Sequence, residues 1–264
     1  NWEIIFIDNC SSDGSAEIAK SYRDGRLLYY KMFKKISLYS ARNFGLRLVN
    51  GDYLAFLDTD DIWIDNKLEI EVNYTIEQNV DFICTGAFIM IGDYRNISLR
   101  TWPSRKIDFK MMLEKYQVNI QTVFLNMKKV NKLKFDDRIN IAGDYDFFLR
   151  YLHQDNINAV FLEEPTVYYR IHDNNLSKES WASWAEELVY IYENIEPLCS
   201  EYEKYLLHMH WDKRRYKSEL MGGNCVEARQ AILPYISNGI KEKLMYLIAF
   251  FPFSKQILIR RGWQ

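Results

Sequence analysis

Three aspartates, Asp58, Asp60 and Asp61, lie within four residues of one another in the stretch FLDTDDIW. Carboxylates this close repel each other unless a cation lies between them, and Mg²⁺ and Mn²⁺ prefer carboxylate, phosphate and water oxygens. The triplet therefore favours a divalent metal that holds a phosphorylated ligand. The alternative is an acidic turn in which Asp61 only caps the next helix.

A second acidic candidate begins the segment AGDYDFFLRYL, which is patterned as a helix. Asp144, Phe148 and Leu152 follow one another at intervals of four and share one face. Asp146 falls on another face, where Arg150 follows four residues later, and we expect an exposed ion pair there. Asp144 is therefore the candidate for accepting a proton, and a plain helix cap is the alternative.

Other polar residues stand where strands or helices begin and end. Asp8 and Asn9 end the first strand and could bind a base or ribose, or only form a turn. Arg42, near a helix N-terminus, could meet a phosphate or form a surface salt bridge. Arg170 and His172 are two apart on one strand and could reach a diphosphate or the metal shell, although a lone histidine is often structural.

The elements that position these residues alternate between strand and helix over residues 1–92. Such alternation predicts a parallel, right-handed sheet that binds ligands at the carboxyl ends of its strands. Asp8 and Asp58 stand at two such ends. The predicted elements are strands at 2–7, 26–31, 52–58 and 80–91, and helices at 15–22 and 38–49 and from 65, the last with Leu68, Val72 and Ile76 as its apolar stripe.

The pattern changes after residue 92. Helices are predicted at Ile107–Lys115 and Asp144–His153, and a strand at Thr122–Met127. NAVFLEE and TVYYRIH read as two further strands. From residue 178 the chain is predicted to be mostly helical.

Composition narrows the class of partner. A net charge of −2 and a pI near 6.2 argue against nucleic acid as a partner. The four cysteines stand far apart without a CxxC pair, which argues against a zinc site and predicts free thiols in a reducing cytosol. No apolar run is long enough to span a bilayer.

The C-terminal region 240–264 has an apolar run, Leu244–Phe253, between Lys243 and the pair Arg260 and Arg261. This segment could lie in a membrane interface, or it could pack on the domain or in a homodimer. The sequence leaves both alternatives open.

Five segments together resemble the family 2 glycosyltransferases of the GT-A fold: IFIDNCSSDGS, SARNFGL, GDYLAFLDTDDIW, GDYDFFLRYL and YYRIHDNNLS. They occur in the family's order over residues 1–177. The resemblance implies an α/β, Rossmann-like, mostly parallel sheet flanked by helices, with a mainly helical extension at 178–264. It also implies a nucleotide-sugar half at about 1–92 and an acceptor half at about 93–177.

The resemblance further implies an inverting transferase that uses a nucleotide sugar, with UDP favoured, and a glycan or lipid-linked acceptor. Asp60 would hold Mn²⁺ or Mg²⁺, and Asp58 would face the ribose or the metal shell. Asp8, Asn9 and Arg42 would contact the nucleotide. Asp144 would be the general base. The expected location is the cytoplasm, with peripheral contact to the inner face of the membrane.

The sequence departs from the family pattern at three places. The family's first strand, an apolar run ending in Pro-Thr-Tyr-Asn, is absent. Asn9 stands where Asp is common, and Gly143 stands where Glu is common. The missing strand supports an alternative function, a non-catalytic or truncated module that binds nucleotide sugars. A phosphatase of the haloacid dehalogenase type is less compatible, because its Asp-x-Asp follows the first strand of the chain.

Overall fold

A computed structural model describes residues 1–91, 96–100, 104–114, 116, 118–130, 132–173, 175 and 181–250. The chain divides into two compact units. The first comprises residues 1–112 and 116–178, and the second comprises residues 113–115 and 179–264.

The first unit contains eight described strands and six described helices. In chain order these are β1 (Ile4–Asp8), α1 (Ser15–Ser21), β2 (Leu27–Lys31), α2 (Leu38–Leu46), β3 (Tyr53–Ala55), β4 (Ile62–Trp63), α3 (Lys67–Gln78), β5 (Phe82–Ile91), β6 (Asn96–Arg100), α4 (Phe109–Glu114), β7 (Val123–Asn126), α5 (Met127–Val130), α6 (Gly143–Leu152) and β8 (Ala159–Ile171). α4 ends at the start of the second unit. The α/β class predicted from the sequence is confirmed.

The described strands form two sheets, and the larger one is of mixed direction. β1 and β2 pair in parallel, and a second sheet has the order β3-β7-β5-β8-β4, with β6 on β5. In that sheet only β5 and β8 are parallel; β7 runs antiparallel to both β3 and β5. The expectation of a mostly parallel sheet is therefore wrong, because a strand from the later part of the chain separates β3 from β5.

β8 is one continuous strand, whereas the sequence pattern predicted two. It pairs with β5 along its length, and the register shifts near Gly86, whose partner is Pro165. Proline has no N–H to donate, so it fits a sheet where the ladder is already interrupted. The proline between the two predicted strands thus marks a bulge, and it does not mark a loop.

α3 buries only part of the apolar stripe expected from its sequence, because Leu68 and Val72 pack against a core cluster of the first unit and Ile76 does not. Ile76 is 68% exposed, whereas Lys67 and Glu71 are 1% and 0% exposed. The Lys67 ammonium lies 2.5 Å from the Glu71 carboxylate and also donates to the Thr166 hydroxyl. Because the two opposite charges pair at i and i+4, the polar face of the helix can be buried.

α6 is the most enclosed helix of the first unit. Phe147, Phe148, Leu149 and Tyr151 have no exposed surface. The Phe147 ring stacks on Phe135 with centroids 4.3 Å apart. Burying one such aromatic side chain stabilises the fold by roughly 2–3 kcal/mol. This packing fixes the orientation of the helix that carries Asp144.

The described part of the second unit is helical, as predicted, and it begins with the last residues of α4. It contains α7 (Trp181–Ile195), α8 (Glu201–Gly222), α9 (Cys225–Ile232) and α10 (Ile240–Ile248). Ser200 and Glu203 form a capping box at the start of α8. The Tyr216 hydroxyl donates to the Met245 carbonyl, which ties α8 to α10. Of the described helices, none is long and apolar enough to cross a membrane.

Candidate active site

The acidic turn follows β3 and closes with a hydrogen bond from Asp61 N to Asp58 O of 3.1 Å. Carboxylate oxygens of Asp58, Asp60 and Asp61 all lie within 4.8 Å of one another. Asp61 is 7% exposed, and its Oδ2 has no hydrogen-bond partner among the described residues. Burying a carboxylate oxygen that accepts no hydrogen bond costs free energy. A divalent cation bound by these carboxylate oxygens would remove that cost, because hard cations prefer oxygen ligands.

Asp61 does not cap the next helix, which was one of its two predicted roles. α3 begins after Asn66, and Asn66 provides no side-chain cap bond. Instead, Asp61 Oδ1 accepts the backbone N–H of Arg170 at 2.7 Å. Burial raises the Asp61 pKa to about 7, and the neighbouring charges of Asp60 and Asp58 act in the same direction.

Asp60 is the more open member of the turn, with 40% of its side chain exposed. Its Oδ2 lies 2.8 Å from His172 Nε2. The main chain of His172 is held in turn, because its N–H donates to the Asn175 side chain at 2.6 Å. The structure thus brings the acidic turn, which the sequence placed after one strand, together with Arg170 and His172, which the sequence placed on another.

Asp58 is engaged at both carboxylate oxygens. Its Oδ1 accepts from Arg42 Nη2 at 2.7 Å, and its Oδ2 accepts from Gln121 Nε2 at 2.9 Å. Two protein donors orient this carboxylate and leave Asp60 as the acid with more room for another ligand. No sequence pattern indicated a role for Gln121, which reaches Asp58 only because β7 lies beside β3.

Arg42 forms a largely buried ion pair in place of the surface salt bridge that was one of its predicted alternatives. Its side chain is 11% exposed. Burial acts against its charge, but the carboxylates of Asp58 and Asp144 outweigh burial and raise the Arg42 pKa. One guanidinium therefore stabilises both the acidic turn and the candidate base.

Asp144 lies in the first turn of α6, whose N-cap is Ala142. Its Oδ1 accepts the N–H of Tyr145 at 2.8 Å, and the residue is half-buried. Burial raises the Asp144 pKa, against the opposing effects of Arg42 and the Tyr116 hydroxyl. A carboxylate with a raised pKa is a stronger base, which suits proton abstraction near neutral pH.

Asp146 pairs with Arg150 as predicted, at 2.5 Å, but the pair is not exposed. Asp146 is 4% exposed, and Arg150 also donates to the Lys134 carbonyl at 2.7 Å. The expectation of an exposed pair is wrong because α6 is surrounded on nearly all sides. Asp146 remains the structural acid of this helix.

Gly143 is required by the ring of Tyr39. A Cβ at position 143 would lie 2.6 Å from two carbons of that ring. The ring has little freedom, because its hydroxyl donates to the Ile141 carbonyl at 2.8 Å and its face stacks on Phe135. Tyr39 thus occupies the space beside the position where a side chain is common in the family.

Asp8 and Asn9 shape the loops at the end of β1. Asp8 is 2% exposed and accepts from Tyr29 Oη at 2.5 Å and from Ser11 N at 2.7 Å. The Tyr29 bond, followed by the Ser11 bond, lowers the Asp8 pKa to about 2. Asn9 bonds both the N–H and the carbonyl of Ile36. Contact of Asp8 and Asn9 with a nucleotide stays a prediction.

The described fold and site define an α/β protein whose acidic turn and helix-borne aspartate share one arginine. Residues 1–134 match the family model described as Glycosyl transferase family 2. The chain belongs to this family, and the protein is a glycosyltransferase.

Individual glycosyltransferases of known name are also similar to this chain. UDP-Glc:alpha-D-GlcNAc-diphosphoundecaprenol beta-1,3-glucosyltransferase WfgD from Escherichia coli is 28% identical over 181 residues, which are 69% of this chain and 70% of that protein. The structure of S. aureus TarS 1–349 in complex with UDP-GlcNAc has a TM-score of 0.66 at 14% identity, covering 98% of this chain and 83% of that one. The mannosyltransferase PcManGT from Pyrobaculum calidifontis, solved with GDP-Man and Mn²⁺, has a TM-score of 0.58 at 13% identity, covering 97% and 77%. These likenesses show the GT-A type of fold.

Proposed function

We propose that the protein transfers a sugar from a nucleotide-diphosphate donor to a hydroxyl of a glycan or lipid-linked acceptor, with inversion at the anomeric carbon. The observation that carries the proposal is the position of Arg42. It bonds Asp58 of the acidic turn at 2.7 Å and acts electrostatically on Asp144. A single displacement needs a group that binds the donor diphosphate and, close to it, a base that deprotonates the acceptor. In this proposal the acidic turn is the first group and Asp144 is the second.

Asp60, together with Asp58, would hold Mn²⁺ or Mg²⁺. A bound divalent cation would neutralise the charge that develops on the diphosphate leaving group. The buried, unpaired Oδ2 of Asp61 supports this assignment. His172, 2.8 Å from Asp60, and Arg170, two residues earlier, would contribute to the metal shell or bind the diphosphate.

Asp144 takes the proton from the acceptor hydroxyl as that oxygen attacks the anomeric carbon. The new C–O bond forms on the face opposite the diphosphate, and the bond to the diphosphate oxygen breaks with its electron pair. One displacement inverts the anomeric centre, so no enzyme nucleophile takes part. Burial supports this role because it raises the Asp144 pKa.

A UDP-sugar is our first choice of donor, and Asp8, Asn9, Arg42 and Asp58 are its proposed contacts. UDP-Glc stands in the name of WfgD, and TarS is solved with UDP-GlcNAc. PcManGT is solved with GDP-Man, so GDP-sugars belong in the test. The cytoplasm is the proposed location, because the four described cysteines, Cys10, Cys84, Cys199 and Cys225, form no disulfide with one another, as is usual in a reducing compartment.

A thermal-shift panel of UDP-, GDP- and dTDP-sugars, with and without Mn²⁺, tests the donor class. We expect one nucleotide family to raise the melting temperature only with metal, and that donor to be hydrolysed slowly. Binding without any turnover would favour the non-catalytic module. No shift with any donor would contradict the proposal.

A further inference from the structure

α10 leaves an apolar face open to solvent. Ile240, Leu244 and Leu247 are 78%, 50% and 54% exposed, and their spacing of four and three places them on one face. Met245 and Ala249, on the opposite face, are 3% and 0% exposed and pack into the core of the second unit. The helix is therefore anchored on one side and has an uncovered apolar stripe on the other.

Cations border this stripe. Lys241 and Lys243 are exposed and flank it on its two sides. Arg229 lies over the ring of Phe250, with its guanidinium carbon 4.3 Å from the centroid, and Phe250 is 56% exposed. Glu242, the acidic residue of α10, is turned away and pairs with Lys213 at 2.7 Å. The solvent-facing side of α10 thus combines apolar and positive groups.

The sequence concentrates positive charge at this end of the chain. Residues 240–264 contain five Lys or Arg and one Glu, in a chain whose net charge is −2. The predicted apolar run after residue 250, with Arg260 and Arg261, lies outside the described residues. A nine-residue helix is about 13 Å long, which suits a position in the plane of an interface.

We propose that the stripe of Ile240, Leu244 and Leu247 docks on an anionic lipid surface. The apolar side chains would enter the boundary between headgroups and acyl chains, and Lys241 and Lys243 would meet lipid phosphates. A second copy of the chain fits less well, because a two-fold contact through this stripe would bring its border lysines toward those of the partner. The proposal stands apart from the assignment of the donor or of the base.

Vesicle flotation of the full chain tests the proposal, with phosphatidylglycerol–phosphatidylcholine vesicles compared with phosphatidylcholine alone. We expect flotation with the anionic vesicles, weakening as salt is raised. Leu244→Ser with Leu247→Ser should lower the bound fraction at least tenfold. Ile18→Ser with Ile76→Ser is the matched control, since both residues are exposed apolar side chains of the first unit.

Lys241→Gln and Lys243→Gln should each weaken binding to anionic vesicles roughly fivefold. Thermal melting of every variant checks that the fold is kept. Failure of the wild type to float, or flotation of the serine variant at the wild-type level, would overturn the proposal. So would a wild-type dimer that the serine variant converts to a monomer, because that result assigns the face to a second copy.

Discussion

His172 Nε2 lies 2.8 Å from Asp60 Oδ2, although 112 residues separate them along the chain. Two contacts bring these residues together in space. β4 pairs with β8 with Ile62 opposite Tyr168, and Asp61 accepts the Arg170 N–H. The end of β8 is thereby fastened to the acidic turn, so any cation held by Asp60 would meet His172 as well.

Asp60→Ala should weaken Mn²⁺-dependent binding of UDP at least tenfold, and His172→Ala roughly tenfold to 100-fold, as for partners of metal ligands. Calorimetric titration of UDP with and without Mn²⁺ measures both without any turnover. Asp65→Ala, an exposed aspartate of the next loop, is the matched control. If the Asp60→Ala variant bound UDP with wild-type affinity in the presence of Mn²⁺, the metal would not be held by this turn.

Gly143→Ala should destabilise the protein by about 1–3 kcal/mol, because the new methyl overlaps the fixed Tyr39 ring. Urea unfolding measures the change. Gly25→Ala is the control, since no heavy atom lies within 4 Å of a Cβ there. Combining Gly143→Ala with Tyr39→Leu should cost less than the sum of the single changes. Strict additivity would show that the ring is not the obstacle.

Tyr29→Phe should raise the Asp8 pKa from about 2 toward its ordinary value of 3.8, because the variant loses the largest contribution to the shift. A lowered folded-state pKa stabilises the protein above the unfolded pKa, and this contribution disappears as pH falls from about 4 to 2. The difference in the free energy of unfolding between wild type and Tyr29→Phe should therefore become smaller as the pH falls from about 4 to 2.

Carbon NMR of the Asp8 carboxyl and urea midpoints across the window measure both effects. Tyr30→Phe, the next residue on β2, is the control. An unchanged Asp8 pKa in Tyr29→Phe would show that the 2.5 Å contact does not set it.

The sequence predicted the local features of the fold well. It placed the acidic turn at a strand end, put Asp144 on the face of α6 that contains Phe148, and set Arg170 and His172 close to the end of a strand, where Arg170 lies in β8 and His172 directly follows that strand. These features depend on periodicity and on residue type, which a single sequence displays.

Contacts that depend on the order of strands in the sheet could not be predicted from the sequence. Gln121 reaches Asp58 because β7 inserts beside β3, and nothing local to either residue announces that pairing. Tyr29 meets Asp8 through the register of β1 and β2. The burial of Lys67 and Glu71 likewise depends on Thr166, a distant residue of β8.

Turnover by the Asp144→Asn variant is the sharpest test of Asp144 as the general base of sugar transfer. The donor from the thermal-shift panel is supplied with Mn²⁺, nucleotide release is followed, and Asp155→Asn, an exposed aspartate beyond α6, is the control. We expect the turnover rate to fall by at least 100-fold, with nucleotide affinity within about twofold of wild type. Nucleotide release by Asp144→Asn at the wild-type rate would contradict it.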